Sequence, residues 1–180
     1  NAANEDGARA VTEHLVRLRH RRIAHITGAV QTGSSHSRIA GWRAALDAAR
    51  IPVRDELIVE GDYEEPRGRE AASQLLSLPA RRRPTAIFAS NDRTAMGVYQ
   101  AAAERGIRIP DELSVVGFDD EPSAARMTPP LTTVRQPTRE MGRAGVERLV
   151  ERMRHPDVPA ERVMLPVELV VRGSTAPRQP

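Results

Sequence analysis

The sequence contains neither cysteine nor lysine. Without cysteine there are no disulfides, no thiolate nucleophile and no cysteine-ligated zinc. Without lysine there is no phosphate loop of the GxxxxGK type. Aromatic residues make up only 3% of the chain, so the core has to be built from Ala, Val, Ile and Leu. No apolar run approaches the roughly 20 residues of a membrane-spanning helix. The opening NAANEDGARA also lacks the apolar centre of a secretion signal. The expectation is a cytoplasmic protein with no membrane partner. GxSxG and HExxH are absent, and His14, His20, His25, His36 and His155 show no metal-ligand spacing. No metal, cofactor or enzymatic activity is expected.

All 27 basic residues are arginine, which explains a pI near 10.4 beside a net charge of only +3. The basic runs around Arg19–Arg22 and Arg81–Arg83 each precede an apolar strand. Solvated turn or helix-end charge accounts for them, and no aromatic residue interleaves to form a nucleic-acid stacking platform.

What is present is an alternation of helices and short apolar strands, sized for one domain of 180 residues or one and a part. The stretch Pro84–Gly97 shows the unit: Ala86–Ala89 is a strand apolar enough to be buried on both faces. Ser90-Asn91-Asp92 then offers an N-cap, and Ala95, Val98, Tyr99 and Ala102 recur at helical spacing. Helices are expected over Gly7–Leu18, Ser37–Arg50, Arg67–Ser77 and from Asp92 to Arg105, with Gly106 as a C-cap. Strands are expected at Ile23–Thr27, Glu56–Glu60, Ala86–Ala89 and Leu113–Gly117. This order predicts an α/β fold, a parallel sheet with helices on both faces. After Pro129-Pro130 the alternation breaks. Leu131–Val134, a helix over Thr138–Met153 behind Pro137, and a strand over Val163–Val171 interrupted by Pro166 follow, and the tail from Gly173 reads as disordered.

In an open α/β sheet, ligands bind outside the carboxyl ends of the strands. Four such ends offer polar groups here: Thr32, Ser34 and Arg38 after the first, Tyr63 after the second, Asn91 after the third and Asp119 after the fourth, with Gln136 following. An arginine fork, a carboxylate, a carboxamide and an aromatic face suit a sugar. Taken singly, Arg38 also reads as an exposed helix arginine, Asn91 as a plain helix cap, Tyr63 as a rim aromatic, and Asp119 and Asp120 as turn formers. Asp119 and Asp120 are adjacent, so their side chains diverge and make a poor acid/base pair.

HLVRLRHRRIAHITG, SRIAGWRAAL, PTAIFASNDRTAMGVYQAA, IPDELSVVGFDD, PPLTTVRQP and LPVELVVRGST, in that order, resemble the lactose-repressor/galactose-repressor (LacI/GalR) family of bacterial transcription regulators. The resemblance runs from about residue 4 to 176. It implies a type I periplasmic-binding-protein-like effector domain of two similar subdomains with the ligand between them. By motif position, Arg38 resembles the effector-binding arginine, and Asn91 and Asp119 the ligand-contacting amide and carboxylate. Gln136, Tyr63 and Ser34 match more variable contact positions.

The same resemblance implies one complete subdomain plus remnants of the other. Residues 4–135 and 161–173 would form the C-terminal effector-binding subdomain, and 174–180 a tail. Residues 136–160 would supply a crossover and a helix belonging with the missing first subdomain, and that helix is expected to fold back on its own subdomain or dock on a neighbouring copy. Ala3-Asn4 stands where the family commonly has Asp-Asn, a departure at one crossover. The implied partners are a small-molecule effector (a sugar, sugar phosphate or nucleobase), a second copy paired through Met96 and Met127, and operator DNA only through a missing N-terminal helix-turn-helix. The implied function is effector sensing with allosteric control of operator binding. The alternative is a periplasmic sugar-binding protein of a transporter.

Overall fold

A computed structural model describes residues 1–155, 157 and 163–178. Strands β1 (Ile23–Thr27), β2 (Ile58–Glu60), β3 (Ala86–Ala89) and β4 (Ser114–Val116) form one parallel sheet in the order β2-β1-β3-β4. Each is followed by a helix or turn that returns the chain to the opposite edge, as parallel pairing requires. Helices α1 (Asn4–Arg17) and α2 (Gly33–Ala48) pack together on one face, and α3 (Glu65–Leu76) and α4 (Asp92–Ala103) on the other.

The period-2 alternation of β3 divides the core. Ile87 and Ala89 face Leu75, Val98 and Ala101, whereas Ala86 and Phe88 face Val11, Leu15, Trp42 and Leu46. Every β3 side chain is buried, so the continuous apolar run is what its central position demands. The helices begin close to where the N-cap chemistry lies. The Thr32 hydroxyl accepts from the Ser35 N–H and the Asn91 side chain from the Thr94 N–H. Helix α2 therefore starts at Gly33, four residues before the expected Ser37. Gly106 follows α4 at φ +64, the left-handed turn expected of a C-cap. The second expected strand is shorter than its apolar run, because Asp55–Leu57 makes a turn of 3-10 helix first.

Beyond β4 the chain makes β5 (Thr133–Arg135), α5 (Thr138–Arg154) and β6 (Glu168–Val170), with β5 and β6 antiparallel. Pro166 splits the last strand as expected. Leu165 bridges Ala2 on one side of it and β6 begins on the other.

Two expectations are corrected here. Residues 173–178 are not disordered but laid across the sheet. Ser174 is buried; its hydroxyl donates to the Val115 carbonyl at 2.6 Å and accepts from the Thr132 N–H at 2.8 Å. The Arg178 N–H then reaches the Leu18 carbonyl. A polar, Pro-containing stretch looks disordered in sequence, yet here it satisfies the free backbone groups of the edge strand β4. Secondly, α5 does not fold back onto the subdomain. It buries no residue, and Val146, Leu149 and Met153 are 63, 61 and 74% exposed. Only Met141 and Ala144 are half-buried, beside Asn1, Val163 and Leu165. Residues 156 and 158–160, at the end of the 136–160 segment, lie outside the described residues.

Two buried histidines give the fold a pH dependence. His20 donates from Nε2 to the Ala176 carbonyl and pairs through Nδ1 with the Thr85 hydroxyl, which can donate or accept. His25 stacks on Phe88 with centroids 4.4 Å apart and donates from Nδ1 to the Phe88 carbonyl. Burial pulls both pKa values down to about 4 from 6.5. Between those values the unfolded chain binds more protons, so this contribution to stability is complete above 6.5 and falls away as pH drops towards 4. Urea denaturation of His20→Gln against the parent should show this. The parent's advantage is expected to shrink between pH 6.5 and 4 and to stay level below 4. A pH-independent difference would contradict it.

Candidate functional site

All six residues singled out as ligand contacts stand at the carboxyl edge of the sheet. They form two hydrogen-bonded groups. In the first, the Arg38 guanidinium lies 3.6 Å from Asp119 Oδ1, which also accepts from Gln136 Nε2 at 2.5 Å. In the second, the Tyr63 hydroxyl meets Ser34 Oγ at 2.9 Å and Thr32 Oγ1 at 2.8 Å, and Asn91 Nδ2 donates to the Tyr63 carbonyl at 3.0 Å. Ser90-Asn91 joins them, because Arg38 also donates to the Ser90 carbonyl.

Arg38 is only 4% exposed, so the exposed-helix reading of it is excluded. One turn into α2, it points inward along the sheet edge. Its Nε donates to Asn4 Oδ1 at 2.9 Å, and its guanidinium carbon sits 3.7 Å from the centre of the Phe118 ring. Burial pushes the guanidinium pKa down, and the negative charge of Asp119 is the main influence pulling it back. Burial likewise raises the Asp119 pKa against the opposing pull of Arg38 and Gln136.

Asn91 is more than a cap. Its carbonyl oxygen caps α4 while its NH2 fixes the Tyr63 loop, and that group has a second N–H. Asp119 and Asp120 are turn residues, at φ 115 and φ 59, and Tyr63 is at φ 75. Three non-glycine residues in the left-handed region at one rim mark a place where local strain is held by surrounding bonds. The two aspartates diverge as expected. Asp119 faces Arg38 and Gln136, whereas Asp120 accepts from Arg135 and Arg172 on the far side.

Three participants had not been singled out as contacts. Asn4 stood out only as the neighbour of Ala3, where the chain departs from the family pattern, and Phe118 only as the residue before two aspartates. The third is Asp92, fully buried beneath the rim, its pKa pushed up to about 7 by burial. Its burial at a helix start has no local sequence signal. Met96 and Met127 are half-buried, and Met127 packs against the α3/α4 side of the core. Among the described residues, no group of three His, Asp or Glu side chains is placed to hold a metal ion. No described helix is long and apolar enough to cross a membrane.

Comparison with known proteins decides the family. Residues 12–175 match the periplasmic binding protein-like domain. The chain belongs to that family. The ribose operon repressor of Escherichia coli (strain K12) is 39% identical over 168 residues, 93% of this chain and 50% of the repressor. The HTH-type transcriptional regulator DegA of Bacillus subtilis (strain 168) is 41% identical over 171 residues, 95% of this chain and 50% of DegA. The crystal structure of a LacI family transcriptional regulator from Enterococcus faecium with bound ribose superimposes with a TM-score of 0.90 at 30% identity, covering 99% of this chain and 65% of that one. The resemblance to LacI/GalR regulators and the periplasmic-binding-protein-like fold are thus borne out. The chain spans about half the length of the curated relatives it matches.

One close approach in this periplasmic binding protein-like domain is testable. Gly28 passes directly beneath the Tyr63 ring, and a Cβ there would overlap the ring carbons. Gly28→Ala should therefore displace Tyr63 and cost roughly 1–3 kcal/mol by urea denaturation. The cost is expected to disappear when Gly28→Ala is made in a Tyr63→Ala background. An equal cost in both backgrounds would show that the ring is not the obstacle.

Proposed function

We propose that this chain is the effector-sensing part of a LacI-type, DNA-binding transcription regulator, in which a small molecule controls operator binding allosterically. The observation that carries the reading is the Arg38–Asp119–Gln136 group beside Asn91, Tyr63 and Ser34, gathered on one half-open rim. Arginine and carboxylate give charge-assisted hydrogen bonds, and the amides donate and accept toward hydroxyls. The effector classes that fit are a sugar, a sugar phosphate or a nucleobase. Because Arg38 already carries a carboxylate partner, the pair offers a neutral polyol both donors and acceptors without an unbalanced charge.

The rim is one wall of a site, and the second wall is assigned to the family's other subdomain. The exposed apolar side of α5, Val146, Leu149 and Met153, supports the assignment of residues 136–160 to that subdomain. Operator contact falls to a helix-turn-helix outside these 180 residues. The role is one of binding, not catalysis: the two adjacent aspartates serve different partners and form no acid/base pair. Such a regulator works in the cytoplasm, where its operator is. A transporter's periplasmic binding protein shares the fold, but the relatives are transcription regulators.

Calorimetry on the full-length protein tests the site, using a panel that begins with ribose and cellobiose. Arg38→Ala and Asp119→Ala should each weaken binding by about 1.5–3 kcal/mol, the worth of a hydrogen bond to a charged group. Unchanged affinity in both would remove the assignment.

Pairing of two copies is assigned to Met96 and Met127, half-buried and adaptable side chains suited to such a contact. Met96→Glu with Met127→Glu should convert a dimer to a monomer in light scattering. A dimer that persists uses another face.

A further inference from the structure

Asp92 is buried, acidic and outside any contact expected of the effector. It opens α4, directly after the cap Asn91. Its backbone N–H donates to the Phe118 carbonyl at 2.9 Å, and its Oδ2 accepts from the Glu121 N–H at 2.7 Å. Those two groups are the entrance and exit of the turn that holds Asp119 and Asp120 at positive φ. Its Oδ1 meets the Thr133 hydroxyl at 2.5 Å, which brings in β5, and the next residue, Val134, accepts from the Asp119 N–H at 2.7 Å. β5 leads straight to Gln136, the other partner of the Asp119 carboxylate. Gly117 completes the arrangement, since a Cβ there would collide with Asp92 Oδ1.

We propose that Asp92 is a positioning residue of the effector site. It clamps the Asp119–Asp120 turn at both ends and ties it to β5, and so sets where the Asp119 carboxylate stands without touching the effector. Two left-handed non-glycine residues in succession do not hold themselves in place. The clamp supplies bonds at both ends of the strained segment, one of them to a carboxylate, where hydrogen bonds are strongest. The charged groups around it are Asp119 and Glu121 from the turn and Arg38 from α2, while β5 contributes the neutral Thr133. Protonation would leave Oδ2 a weaker acceptor for the Glu121 N–H. The Thr133 hydroxyl can donate or accept, so that bond survives either state.

The inference rests on Asp119 being an effector contact, but its test needs no effector, so the two readings fail separately. Amide hydrogen exchange is measured on the full-length protein, its Asp92→Asn and Thr133→Val variants, and Asp92→Ala if that folds. Asp92→Asn and Thr133→Val should each speed exchange at Asp119 and Glu121 about tenfold, the loss of one such bond. The amides of Ile87 and Phe88 in the central strand should keep their protection. In the parent, Glu121 protection corrected for intrinsic exchange should fall as pH drops through about 7, a dependence that Asp92→Asn abolishes. Parent-like protection of the turn in both isosteric variants would overturn the proposal. So would a loss spread equally over the central strand, which would make Asp92 a stability residue only. A pH-independent Glu121 amide in the parent would overturn it too.

Discussion

A buried positive charge organises the carboxyl edge of this protein. The Arg38 guanidinium is enclosed, and an enclosed cation without partners costs several kcal/mol. Its four partners come from three separate stretches: Asn4 at the start of α1, the Ser90 carbonyl after β3, and the Phe118 ring and Asp119 carboxylate after β4. None can move far without leaving the cation short of a partner. The chain therefore meets at one point where three of the four parallel strands' polar ends would otherwise be free to wander.

Around that point the backbone is held in conformations it would not choose. Tyr63, Asp119 and Asp120 all have positive φ, and each is tied by a neighbour's side chain. Asn91 fixes the carbonyl of Tyr63, Gln136 and Arg38 hold the carboxylate of Asp119, and Arg135 and Arg172 hold that of Asp120. The consecutive residues Ser90, Asn91 and Asp92 each contribute one tie, to Arg38, to Tyr63 and to the Phe118–Glu121 turn respectively. A rigid strand thus feeds a polar tripeptide that positions the rest of the rim. This is the arrangement a binding surface needs, because groups already fixed in place lose less freedom when a ligand arrives.

The opposite behaviour is seen in α5. It has the periodicity of a packed helix, yet Val146, Leu149 and Met153 stand exposed and only Met141 and Ala144 are half-buried. The Ser174 tail is the converse case, polar in sequence but buried in fact, because an edge strand offered it unpaired backbone groups. Both show the same limit. A segment's own composition says what kind of surface it presents, and only its neighbours say whether that surface is covered.

The parallel sheet, its four strands and the helices on both faces were legible in the sequence, because burial on two faces demands apolar runs and amphipathic helices demand a 3.6-residue period. The rim positions of Ser34, Arg38, Tyr63, Asn91, Asp119 and Gln136 were legible for a related reason: residues just past a parallel strand must emerge at its carboxyl edge. What the sequence could not disclose was which of those groups bond to one another. The burial of Arg38, the clamp made by Asp92 and the parts played by Asn4 and Phe118 join residues up to 81 positions apart along the chain, the separation of Arg38 and Asp119. Local pattern carries no record of such pairs. They arise when the folded sheet removes water from a charge, and the charge must then be met by whatever polar groups the tertiary structure has brought within reach.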